Sequence, residues 1–221
     1  MEQPHRMAKA RWRTRHERAM ALRADYDRCM ADHRIDSRHI IDAERAVFVI
    51  GRPESGMYRA EIAALAHGSV LVHGDIDTVL FSYCGYRGWR QKLGWLRDGC
   101  YTYAEEKAAI GTSMYIAREF DEDIAITDLL SWRRHRDVSR EVAREVLDII
   151  RAGDYRRAQD TLYAETGDAE LVFGKVTACR VLMAQAALSR LCTLLDQEEV
   201  AAGTLATCAL MSTVAYSGSP Q

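Results

Sequence analysis

The sequence predicts an α+β fold with three parts: a long N-terminal helix, a small central mixed β-sheet with short helices, and a C-terminal α-helical bundle. Three observations carry this. Ala8, Trp12, Ala19, Leu22, Tyr26 and Cys29 recur at spacings of three and four, the period of one helix face, interrupted by Arg15. Short apolar and β-branched runs then take over, punctuated by Gly51, Pro53, Gly56 and Gly74. Beyond about residue 135 the apolar residues return to helical spacing.

Taken in order, residues 5–34 read as one helix with a strongly basic first half. Residues 46–50 (Ala-Val-Phe-Val-Ile) read as a strand, and 58–66 as a short helix. Ser69 to Tyr83 is expected to hold two strands broken near Gly74. Residues 84–99 show no clear period, so an irregular loop is expected there, with Trp95 and Leu96 turned into the core. A short helix is predicted around 103–110 and a strand over 114–120. An acidic turn, Asp121-Glu122-Asp123, leads into an apolar stretch ending at Trp132.

Asp137 or Ser139 can cap the next helix, whose stripe is Val142, Val146, Ile149 and Ile150 and whose stop is Gly153. Helices over about 155–165, 170–196 and 198–216 complete the chain. The joint Ala152-Gly153-Asp154-Tyr155 with Ala158 resembles the start of a tetratricopeptide repeat helix; no second copy follows, so only a helical hairpin is expected. The expected division is a basic amphipathic helix (1–45), an α+β core (46–135) and a helical bundle (136–221) that shares one core with the middle part.

Composition limits the function classes. A formal net charge of −2 gives no whole-protein argument for a nucleic-acid or membrane partner. The cations are almost all arginine, the lysines being Lys9, Lys92, Lys107 and Lys175, which favours planar, bidentate contacts. The usage also fits a GC-rich bacterial or phage genome. Six cysteines without CxxC spacing read as free thiols in a reducing compartment, so a cytoplasmic protein is expected. The charged N-terminus lacks an apolar signal region. The uncharged stretch Val200 to Tyr216 is rich in Thr, Ser, Gly and Ala and reads as a closely packed helix rather than a tail anchor.

Several segments could carry chemistry. Gly51-Arg52-Pro53-Glu54-Ser55-Gly56-Met57-Tyr58 follows a strand and is similar to a phosphate-binding P-loop in its glycines, but Met57 and Tyr58 stand where the lysine and hydroxyl belong. His73, Asp75 and Asp77 would share one face of a continuous strand and could hold a divalent cation for hydrolysis. Asp75-Ile76-Asp77-Thr78-Val79-Leu80 resembles the first motif of haloacid dehalogenase-type phosphatases, which would make Asp75 the nucleophile and Asp77 the acid/base. The other reading of the same residues is a tight Gly-Asp turn between antiparallel strands, which dissolves the shared face. His73, Tyr101 to Tyr103, and Glu119 or Glu122 give a looser similarity to ADP-ribosyltransferases.

Two surfaces could bind macromolecules. Arg11, Trp12, Arg13 and Arg15 could neutralise phosphates and stack on a base, or could dock Trp12 in the core with solvated arginines around it. In residues 83–103, Tyr86, Arg87, Trp89, Arg90 and Arg97 supply the residue types enriched at binding hot spots. Cys29, His33 and His39 offer at most three metal ligands, and no metal or cofactor is expected. Each catalytic motif lacks a required member.

The expectation is therefore a binding or regulatory protein without an active site. It would act on a protein or protein–nucleic acid complex, for example as a phage or mobile-element inhibitor of a host system. A metal-dependent hydrolase centred on His73, Asp75 and Asp77 and a nucleic-acid binder using the N-terminal helix are the alternatives. No membrane partner is expected, and both terminal helices allow a homodimer.

Overall fold

The fold is α+β, an N-terminal helix, a five-stranded sheet and several helices ending in a long C-terminal one, with the sheet contributing one face to the main core. The structure is a computed structural model. It describes residues 14–221 apart from 56–58, 76, 83, 85–87, 112–116, 136, 168–172 and 217–221, and at 110 and 203–216 it describes backbone alone. Helix α1 spans Arg15–Met30; Thr14 caps it by accepting the Glu17 N–H at 3.0 Å. Strands β1 (Arg34–Ile40), β2 (Ala46–Gly51), β3 (Ala60–Ala64), β4 (Val70–Gly74) and β5 (Val79–Phe81) form one sheet in chain order.

All four pairings are antiparallel, which corrects the expected mixed sheet. The links between strands are turns and short loops, and a parallel return needs a crossover of a dozen or more residues. Register puts Ala46, Ala64, Val70 and Phe81 in one inward row and Phe48, Ile62, Val72 and Val79 in the next, and all eight are buried.

Two expectations fail inside this sheet. Residues 60–64 form a strand, not part of a helix: pairing on both sides overrides the alanines' helix preference. Strand β1 lies in a stretch placed with the N-terminal helix. It is polar because it is an edge, and a register shift between Ile35 and Ser37 bulges it at Asp36.

Helix α2 (Trp89–Asp98) replaces the irregular loop expected there, and α3 (Tyr101–Gly111) agrees with the short helix expected around 103–110. Lys92, Leu93 and Leu96 are the buried face of α2; Trp95 is 45% exposed, so of the expected core pair only Leu96 is core. The buried Lys92 ammonium donates to the carbonyls of Glu44, at 2.9 Å, and Leu65, tying two sheet turns to α2. Beyond the short strand β6 (Arg118–Phe120) come α4 (Glu122–His135), α5 (Arg140–Arg151) and α6 (Tyr155–Thr166).

Ser139 caps α5, Asp154 caps α6, and Gly153 and Gly167 take the left-handed conformation at the two stops. Strand β7 (Lys175–Thr177) pairs with β6, and helix α7 (Cys179–Tyr216) runs unbroken where two helices were expected. Asp196-Gln197-Glu198 contains nothing that stops a helix.

The core has two parts. The sheet's inner face, α2, α3 and α7 make the larger cluster, whereas Ala125, Leu129, Val146, Ile150, Leu162 and Phe173 centre a smaller one among α4, α5 and α6. Helix α7 thus packs on the sheet side, against α1 and α2.

Arg18 of α1 sits where these parts meet and is 7% exposed. Its Nε donates to Asp121 at 2.8 Å, one terminal nitrogen donates to the Thr177 carbonyl at 3.2 Å, and the other pairs with Glu119. Its ion pairs hold the Arg18 guanidinium pKa above its ordinary value, although burial opposes them. Removing one partner of such a group leaves buried charge uncompensated. Arg18→Met is expected to lower unfolding stability by about 3–5 kcal/mol, and Arg18→Lys to recover only part of it because an ammonium cannot serve both carboxylates in a planar fork. Urea denaturation of the three proteins checks both statements.

Candidate functional site

The loop after β2 feeds strand β3, so the strand–loop–helix context of a phosphate loop is missing. Ser55 N–H closes a turn on the Arg52 carbonyl at 3.1 Å, Glu54 has φ 61°, and residues 56–58 lie outside the described residues. A Cβ on Gly51 would stand 2.5 Å from an Asp36 carboxylate oxygen. That glycine makes room for the bulged edge strand.

His73, Asp75 and Asp77 do not share a strand face. Strand β4 ends at Gly74, Asp75 lies in the turn, and Asp77 has φ 78°. Each group already has a local partner. His73 Nδ1 lies 2.6 Å from the Thr78 hydroxyl, and Asp75 accepts the Arg59 N–H at 3.1 Å. Asp77 accepts the Thr78 N–H and pairs with Arg180 at 2.6 Å. With Glu119, Cys179 and Arg180, the two aspartates line a shallow depression of about 270 Å³. Among the described residues no group of three or more His, Cys, Asp or Glu could hold a metal ion.

The ADP-ribosyltransferase likeness also disperses. Tyr101 and Tyr103 are on helix α3, and Glu119 on β6 is engaged by Arg18 and by the Cys179 thiol at 3.1 Å. Cys29 is exposed, His33 is fully buried, and neither belongs to a group of three or more possible metal ligands among the described residues.

The two expected binding surfaces are differently placed. Arg11, Trp12 and Arg13 lie outside the described residues. Arg15 is a tie between elements: its Nε donates to the Lys175 carbonyl at 2.9 Å and its terminal nitrogen pairs with Asp128 at 2.5 Å. Tyr86 and Arg87 also lie outside the described residues. Trp89 packs on Phe48, with ring centroids 5.2 Å apart, and the Arg90 guanidinium sits 5.5 Å over it. Arg90 pairs with Glu199, and Arg97 with Asp98 and Asp196, so these cations fasten α2 to itself and to α7.

A different cluster of arginines is open. Along α4, Ile126 and Leu130 stand four apart; along α5, so do Ala143 and Leu147. These four and Leu129 floor a groove of about 790 Å³ between the helices. Its rim carries Arg133, Arg134, Arg140, Arg144 and Arg151, against one lining carboxylate, Asp123. Arg151 approaches Asp148 at 3.5 Å; among the described residues no carboxylate pairs with the other four. Leu130 is 52% exposed on the floor.

Helix α5 therefore turns Val146, Ile149 and Ile150 into the smaller core and Arg140 and Arg144 to the groove, while the partly buried Ala143 and Leu147 touch both. The crowding of arginines over 133–157 is visible in the sequence, but only the α4–α5 packing gathers five of them on one rim.

Comparison with family models, with curated proteins and with solved structures finds no match. Among the described residues no helix is long and apolar enough to cross a membrane.

The thiols divide by environment. Burial pushes Cys84 and Cys192 up to about 11, and burial also raises Cys179. The Thr102 hydroxyl and backbone N–H groups at the start of α3 pull the exposed Cys100 thiol down. In the unfolded chain Cys84 and Cys192 ionise near pH 9, before they do so in the folded protein. Their stabilising effect is complete below that pH and is lost as pH rises through the folded values. Unfolding stability is expected to fall between about pH 9 and about pH 11, and less steeply in Cys84→Ala/Cys192→Ala. Native iodoacetamide labelling near neutral pH should reach Cys100 first and spare Cys84 and Cys192, as read by peptide mass spectrometry.

Proposed function

We propose that this protein is a binding or regulatory protein without an active site, and that it acts by engaging a macromolecular partner in the α4–α5 groove. One observation carries the reading: an open apolar floor is bordered by five arginines, four of which pair with no described carboxylate. Unpaired guanidiniums beside exposed leucine favour contact with a molecule that is both apolar and anionic. Arginine supplies planar donors at such a rim, and water-excluded leucine supplies the area-dependent attraction. His73 at the end of β4, with Asp75 and Asp77 in the turn that follows, shares no strand face with them, which supports the non-enzymatic side of the proposal.

The test compares tagged wild-type protein with Arg134→Ala/Arg144→Ala in cells of the source organism. Arg90→Ala/Arg97→Ala, altered on α2, is the control. The expected result is a stoichiometric partner retained by wild type and control and reduced at least about tenfold in the groove variant, with its melting temperature unchanged. A partner held equally by the groove variant overturns the placement.

A further inference from the structure

Resting on that reading, we propose that the occupant of the α4–α5 groove is an amphipathic helix of another protein, apolar on one face and acidic along its flanks. The shape of the floor carries the first half. Ile126 and Leu130 line it from α4 and Ala143 and Leu147 from α5, each pair one helical turn apart. A groove whose apolar lining repeats at one helical turn on each helix matches side chains that recur at i, i+3 or i+4, and i+7. The lining of α4 runs from Asp123 to Arg134, about 16 Å at the helical rise, which accommodates about three turns.

Charge carries the second half. Five arginines against one aspartate require an anionic occupant, and their position on the rim places its acids on the flanks, beside the buried stripe. A nucleic acid would satisfy the guanidiniums but has no continuous apolar face for Leu130, Leu147 and Ile126. Segments of this chain outside the described residues do not fit either. Residues 1–13 carry Arg6, Lys9, Arg11 and Arg13, residues 217–221 are uncharged, and 168–172 is shorter than the trough.

The probe is a fluorescein-labelled peptide of about four turns, with leucine along one helical face and glutamate elsewhere. A scrambled peptide of the same composition and a short DNA duplex are the comparisons. Fluorescence anisotropy with the full-length protein should show saturable binding of the amphipathic peptide, at least about tenfold tighter than the scrambled one. Leu130→Asp, at an exposed position, should abolish it. Arg134→Ala/Arg144→Ala should weaken it about tenfold and flatten its salt dependence.

Equal binding of both peptides, no binding of either, or preference for the duplex overturns the helix assignment. The cell-capture experiment separates this from the broader reading. A captured partner lost from the groove variant while the peptide fails leaves the groove as the docking site and removes only the helix. A partner that survives the groove substitutions removes both.

Discussion

The Arg18 guanidinium joins α1 to the β6–β7 ribbon and to the start of α4. It reaches Glu119 within β6, Asp121 just after it and the Thr177 carbonyl at the end of β7. Asp121 has a second duty, since its other oxygen caps α4 through the Ile124 N–H at 3.0 Å. A single buried cation therefore sets where α4 begins, how the two-stranded ribbon sits on α1, and where α7 leaves the ribbon. Arg15 repeats the arrangement one turn earlier: it holds Asp128, whose carboxylate also accepts the Gly174 N–H at 2.9 Å. The left-handed Gly174 is obligatory there, because a Cβ would fall 2.7 Å from the Phe120 ring and 2.8 Å from Ala125.

That anchoring explains how one small layer can stay open. Helix α4 is held from its N-terminal end by charge and from one face by the aromatic set of Phe120, Phe173, Trp132 and Tyr155, in which Phe120 and Tyr155 stack at 4.1 Å. Helix α5 is held by Val146, Ile149 and Ile150 on one face and by Ser139 at its start. The arginines on the groove, Arg133, Arg134, Arg140 and Arg144, take no part in either anchorage. Elsewhere the arginines are largely consumed by structure: Arg90 and Arg97 bind α7, Arg118 holds Glu105, and Arg180 holds the β4–β5 turn.

The helical hairpin was the most legible part of the chain, because Ser139, Gly153, Asp154 and Gly167 state its ends in local chemistry. Strands β2, β4 and β5 were legible through their β-branched runs. What escaped was set by distant partners. Strand β1 is mostly polar because it is an edge, with only Ile35 and Ile40 apolar. The alanines of β3 take the strand form only between two neighbours, and the three-residue β7 exists only through β6. Helix α2 was hidden by Lys92, a charged residue at a core position whose acceptors are backbone carbonyls from other loops. The groove was half visible: the arginines crowd together in the sequence, but their separation from carboxylates depends on which faces α4 and α5 turn toward each other.

Strand β1 has a consequence for the molecule's behaviour in company. An edge strand offers unpaired N–H and C=O groups to any passing chain. Here that margin carries Arg34, Asp36, Arg38 and His39, kinked at the Asp36 bulge and pinned at Arg38 to Glu198. A neighbouring strand approaching it would have to bury charge and follow a bend. The sheet is thus guarded against accretion along this margin, and a crowded solution of this protein is discouraged from zipping into ribbons by the same polar residues that make the strand hard to read from the sequence.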